Sequence, residues 1–404
     1  MIYIQNGPAW RPKVSMLLEK NLIDGIIWDP REETLEKVSI FKKDSKNKKV
    51  NEIDNIVENK WYYGQFPNSE LKKLEYLDYI PKKIDREFLR DSKNIEDSII
   101  KCIKYQEEYN VEKILLPTVY ITSFNERIVD KIFDMCEFYI KYKEKEDFDK
   151  KAYVSIVVQE NAFNNMDYVN DFLSDFENYT NKIDGIHIVI DRNKNDDAIR
   201  HNFDSKRLSN IMNFNYSLNN AGFDIIYGYC GLESLLLIAS GASSISSGWF
   251  YSLRRFNGQE KGLEPYDARG RQKKRYTSIK TLQEVKMEEV LFQTVPENKN
   301  DVFNLIVGNS NIDKKVYDAD NIDNVPLSDT YLQYFEALNI LLTPMKELPF
   351  EDRINYADKI IQNAIENVKK FNMMINRPPV SLTDKHLKNY QQALHNFKES
   401  HFLD

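Results

Sequence analysis

The chain has 404 residues, 42% hydrophobic and 29% charged, and a formal net charge of −7, which excludes a protein that coats nucleic acid with overall positive charge but leaves locally basic surface open. Its three cysteines (Cys102, Cys136, Cys230) are odd in number and widely spaced, so they form neither a zinc set nor a disulfide framework and point to a reducing cytoplasm. The N-terminus lacks an apolar core of signal-peptide length, and the longest apolar stretch, around Leu235 to Ala239, falls short of the ~18–20 residues that span a membrane.

In chain order, eight short apolar runs read as buried strands: 2–4, 25–28, 61–65, 113–117, 153–158, 185–190, 224–227 and 243–246. Between them, 97–109, 124–142, 167–178, 205–221 and 233–240 place apolar residues at helical spacing. Such alternation predicts βα units and a parallel sheet, and a count of eight predicts a closed (β/α)8 barrel of the TIM type over residues 1–256. An open dinucleotide-binding sheet is the alternative, but Gln5-Asn6-Gly7-Pro8 follows the first run where a glycine fingerprint belongs. Residues 257–326 form a basic loop and connecting segment with one predicted helix over 278–292. From 327 to 404 the pattern is helical, with Ser328 as N-cap, a break at Pro344 and Pro349, and further helices over 352–374 and 382–397.

Barrels carry their chemistry at the C-terminal ends of the strands. Asn6 stands there after the first run, Asp29 and Arg31 after the second, and Gln65 after the third. Thr118 follows the fourth, Gln159 and Glu160 the fifth, and Asp191 and Arg192 the sixth. Asp191, Asp29 and Glu160 are acids that suit a nucleophile or general base, and Asp29 with Asp191 could share a Mg²⁺ ion. His187 has the strand parity of Asp191 and is predicted to lie beneath it, as a base or a buried structural imidazole. No zinc-type spacing of His and Cys occurs, so no metal centre is assigned.

After the seventh run, Gly228, Cys230 and Gly231 frame a turn into an apolar helix. The eighth ends in Ser246, Ser247 and Gly248. These loops match the place where barrels hold a phosphate, although Glu233 adds a negative charge to the turn. Cys230 there is a candidate thiolate. Beyond them come Arg254 and Arg255, then Arg269, Arg271, Lys273, Lys274 and Arg275, five of these charges within seven residues; with the neighbouring aromatics they suit a polyanion.

Together these features predict a barrel-mouth enzyme, a transferase or hydrolase, acting on a phosphorylated or nucleic-acid substrate. Barrels that exchange bases through an aspartate nucleophile give a fold-level analogy, from which no residue is carried over. The alternative is a non-catalytic scaffold docking a protein partner through the C-terminal helices and the aromatic loop at Trp249, Phe250, Tyr251 and Phe256. A flavin or sugar-phosphate enzyme is a third possibility. No cofactor is specified.

Overall fold

The segment GIHIVID forms β9 (Gly185–Asp191), buried at every position, as a strand covered on both faces must be. The computed structural model describes residues 2–6, 11–28, 40–43, 49–52, 61–62, 90–107, 113–192, 203–256, 273–292, 299–308, 310–375, 378–379 and 382–403. Within it, β9 lies between β8 (Lys151–Gln159) and β10 (Asp224–Gly228). The sheet continues from β10 through β11 (Ser244–Gly248) and β1 (Ile2–Asn6) to β2 (Gly25–Trp28). These six neighbouring strands are all parallel and curl into a half-barrel.

Beyond β8 the next strand position is broken. Both β6 (Lys113–Leu115) and β7 (Thr118–Ile121) pair with β8, and the interruption falls at Leu116-Pro117, where proline supplies no N–H. The far edge of β7 takes a two-residue antiparallel partner, β5 (Trp61–Tyr62). A separate antiparallel hairpin joins β3 (Ile40–Lys43) to β4 (Lys49–Glu52).

The closed (β/α)8 barrel is therefore not formed. The run at 61–65, expected as the third parallel strand, pairs in the opposite direction and over only two residues. No pairing among the described residues joins β2 to β5. Thr118, expected just past a strand, instead begins a new one.

One face of each central strand packs under helices. Ile156, Ile186, Ile188 and Ile190 join the large core there with the helices Asp130–Glu146, Met166–Phe176 and Ser205–Asn220. The helix predicted over 278–292 is instead a hairpin, β12 (Arg275–Ser278) and β13 (Gln283–Lys286), followed by a π-turn over Glu288–Phe292. Leu282, at φ +47°, makes the reversal. Helix Leu327–Leu342 starts directly after Pro326, so Ser328 lies inside it and does not cap it.

The C-terminal helices lie on the half-barrel. Asn339 Nδ2 donates to the Leu22 carbonyl at 2.7 Å, and Asn389 Nδ2, from helix Lys385–His401, donates to the Phe203 carbonyl at 2.8 Å. No helix among the described residues is long and apolar enough to cross a membrane.

Candidate active site at the mouth of the half-barrel

Side chains alternate along a strand, so His187, Val189 and Asp191 of β9 share the concave face. Val157 and Gln159 of β8 stand beside Val189 and Asp191 in register. Val157 and Val189 join Tyr229, Leu253 and Phe256 in a small apolar cluster, with Tyr120 and Phe250 packed on it. Deeper, Ile27, Leu115, Tyr153 and Ile226 form a second cluster. The level between holds Ser155 beside His187. At the base, the Asp224 carboxylate accepts hydrogen bonds from Tyr153 and Ser243, and Lys113 pairs with it at 3.3 Å. Burial pushes the Asp224 carboxyl up, but these donors outweigh it and hold the group below its ordinary range.

Asp191 sits at the top of this face, 2% exposed. The Tyr120 hydroxyl donates to its Oδ2 at 2.6 Å. A carboxylate removed from water needs such donors to stay ionised. The backbone of Asp191 bridges to Phe256, and Arg192 N–H donates to the Phe256 carbonyl at 3.1 Å. This docks the loop after β11 against β9 and sets the rings of Tyr229 and Phe256, 5.6 Å apart, into the same cluster as Val189. The result is a buried acid beside an aromatic wall.

His187 is fully buried, and burial alone depresses its pKa to about 3, so the imidazole is neutral at physiological pH. Gly228 is required above it, because a Cβ there would stand 2.8 Å from Val189 Cγ2 and 3.0 Å from His187 Nε2.

Glu160 and Arg192 leave the concave face. Arg192 Nε meets Glu160 Oε2 at 2.6 Å, Arg207 Nη1 meets Glu160 Oε1 at 2.9 Å, and the Arg192 guanidinium lies 3.1 Å from the Phe203 ring centre. These contacts clamp the ends of β8 and β9 onto helix Ser205–Asn220.

The loops expected to hold a phosphate are engaged internally. Glu233 Oε1 accepts from Gly231 N–H at 3.0 Å, where an anion would sit, and the helix that follows, Ser234–Ala239, spans only six residues. Ser246 donates to Gln5 Oε1, and Ser247 donates to the Cys230 carbonyl at 2.5 Å. At Gly248 a Cβ would collide with Leu253. Cys230 is buried, and burial followed by the charge of Glu233 pushes its thiol well above the usual range, opposite to what a nucleophilic thiolate needs.

Two of the arginines expected at a polyanion are structural. Arg254 is 3% exposed, pairs with Glu284, and lies 3.4 Å from the Tyr334 ring centre. Arg255 Nη2 donates to the Arg192 carbonyl at 3.2 Å. Arg275 covers the Tyr251 ring at 3.9 Å, and Lys274 Nζ donates to the Ile322 carbonyl at 2.7 Å, whereas Lys273 is exposed. Asp29, Arg31, Gln65, Arg269 and Arg271 lie outside the described residues.

Reading the sequence missed Tyr120, Gln5 and Tyr334. Tyr120 lies just past Pro117, where the fourth apolar run was ended. Its alternation with Thr118 was the available signal. Among the described residues no group of three or more His, Cys, Asp or Glu side chains is placed to hold a metal ion. Compared with known proteins, the chain matches no family model, no curated protein and no solved structure.

Proposed function

We propose that the mouth of the half-barrel is the active site of a glycosyl-transfer enzyme acting on a nucleic-acid or nucleotide substrate, with Asp191 as nucleophile. The observation that carries this reading is the buried Asp191 carboxylate, held by Tyr120 at 2.6 Å beside the Tyr229 and Phe256 rings. Tyr229 and Phe256, 5% and 1% exposed, keep water from the acid, and a base that enters beside it is stacked by an aromatic ring. A carboxylate next to it faces the sugar carbon that becomes cationic as the glycosidic bond breaks.

In the first half-reaction an Asp191 oxygen bonds to the anomeric carbon as the glycosidic bond breaks, and the base leaves with the bonding electron pair and takes a proton from solvent. In the second, an incoming base or water bonds to the same carbon, gives up a proton to solvent, and displaces Asp191 as the free carboxylate. Tyr120 orients the nucleophile through its hydrogen bond to Oδ2.

The test is exchange of labelled guanine or adenine into pooled tRNA and duplex DNA. Incorporation by the wild-type chain and none by Asp191→Asn supports the reading. No incorporation of either base into either nucleic acid, together with no base release, contradicts it.

A further inference from the structure

We infer that the chain has a second ligand site, for a small organic anion with an apolar tail, at the opposite end of the sheet from Asp191. A cavity of about 340 Å³ opens beneath the N-terminal ends of β1 and β11, where the C-terminal helices meet the sheet. That volume lies at the lower end of the range for small-molecule sites, ~300–1,000 Å³. Its floor is apolar, built from Ile2 of β1, Leu342 at the end of its helix, and the buried Met345.

Its polar side is cationic. Lys346 and Arg353 line it, with the Asn219 amide, and no carboxylate does. Glu351 and Asp352 precede Arg353 on helix Phe350–Met374 but lie outside the lining. Arg353 Nε is fixed by donation to the Leu348 carbonyl at 2.8 Å, which orients the guanidinium and leaves its two Nη groups. Among the described residues, neither Lys346 nor Arg353 has a carboxylate partner.

Two cations with no carboxylate partner, over an apolar floor and beside Ser243, whose hydroxyl is already given to Asp224, select one ligand chemistry. The anionic head meets Lys346 and Arg353 through charge-assisted hydrogen bonds, and the tail covers Ile2, Leu342 and Met345. A cation is repelled, and a bare inorganic anion gains nothing from the floor. The cavity accommodates a carboxylate carrying a chain of about six to eight carbons. The site does not depend on the chemistry proposed for Asp191.

Isothermal titration of the full chain with octanoate tests this, beside butanoate, hexylamine and inorganic phosphate. Octanoate is expected to saturate one site and to bind more tightly than butanoate, with no saturable binding of hexylamine or phosphate. The double variant Lys346→Gln/Arg353→Gln is expected to weaken octanoate roughly tenfold or more. Lys346→Gln alone, at an exposed side chain, gives a smaller loss in the same direction and serves if the double variant melts early. Absence of saturable octanoate binding, equal binding by hexylamine, or unchanged affinity in the variants overturns the proposal.

Discussion

The Tyr120 hydroxyl reaches across β8 to Asp191, donating to Oδ2 at 2.6 Å. The two side chains come from strands that are not neighbours, because β8 lies between β7 and β9. Curvature of the half-barrel brings them together, so this bond reports on both the shape of the sheet and the state of the acid.

Tyr120→Phe removes that donor and keeps the ring packed on the Val157 and Val189 cluster. A hydrogen bond to a charged group contributes about 1.5–3 kcal/mol, and the half-buried Tyr120 belongs at the lower end, so urea denaturation is expected to show a loss of about 1.5 kcal/mol. If Asp191 is the nucleophile, the variant also turns over roughly tenfold more slowly or worse with KM little changed, because the attacking oxygen is less well oriented. Wild-type turnover by Tyr120→Phe separates the bond from catalysis.

His187 makes stability depend on pH. Its folded pKa, about 3, lies below the ordinary 6.5, so from pH 6.5 downward the unfolded chain binds a proton that the folded chain refuses. Stability is therefore complete above pH 6.5 and is lost as pH falls, by up to about 1.4 kcal/mol per pH unit. Between pH 6.5 and 5, before most carboxylates titrate, this amounts to about 2 kcal/mol. Burial also lowers His401, with the same sign, so the measurement is the difference between wild type and His187→Asn. The variant is expected to show a shallower fall across that interval. Parallel curves for the two proteins would mean that His187 takes up its proton without unfolding.

Arg254 and Glu284, 3% and 1% exposed at the side chain, tie the loop after β11 to the β12–β13 hairpin. Breaking a buried pair from one side leaves an uncompensated charge, so Arg254→Met or Glu284→Leu alone is expected to cost about 3–5 kcal/mol. The double variant should cost less than the sum of the two, with a coupling on the order of 2 kcal/mol in a denaturation cycle. Additive losses would place the stabilisation elsewhere, in the Arg254 contact with Tyr334.

The strands were legible wherever a continuous apolar run was buried on both faces, as in GIHIVID and KAYVSIVVQ. Closure was not, because an apolar run does not encode the direction in which it pairs. Trp61-Tyr62 looks like its neighbours and runs antiparallel. Asp191 was legible as an acid ending a buried strand. Its partner was not, since register across two strands is set by packing and Pro117 masked the continuation. Glu160 and Arg192 looked like mouth residues, but each is one position out of phase with the concave face and they neutralise one another. The glycine and serine loops have the composition of an anion site; Glu233 was visible in the sequence as a charge against one, while Gln5 and Leu253, which fill the second loop, are supplied by the fold.

On the proposed reading, nucleic acid would meet fewer cations than the sequence suggests, since among the described residues Arg254, Lys274 and Arg275 have internal contacts. Binding of pooled tRNA and duplex DNA is expected to weaken with salt. Lys273→Glu should reduce the log–log salt slope by about one for its lost phosphate contact, and Arg254→Met should leave the slope unchanged. If neither nucleic acid binds at low salt, the substrate class is wrong and small nucleotides become the compounds to test.

On the proposed mechanism Asp191 bonds covalently to a sugar. The most direct measurement is acid-quenched incubation with end-labelled tRNA or DNA and a denaturing gel, followed by peptide mapping of any slow-migrating species. A labelled adduct is expected on the peptide containing Asp191, absent from Asp191→Asn and chased away by added free base. Base exchange by Asp191→Asn at the wild-type rate, or an adduct mapped to another residue, would contradict it.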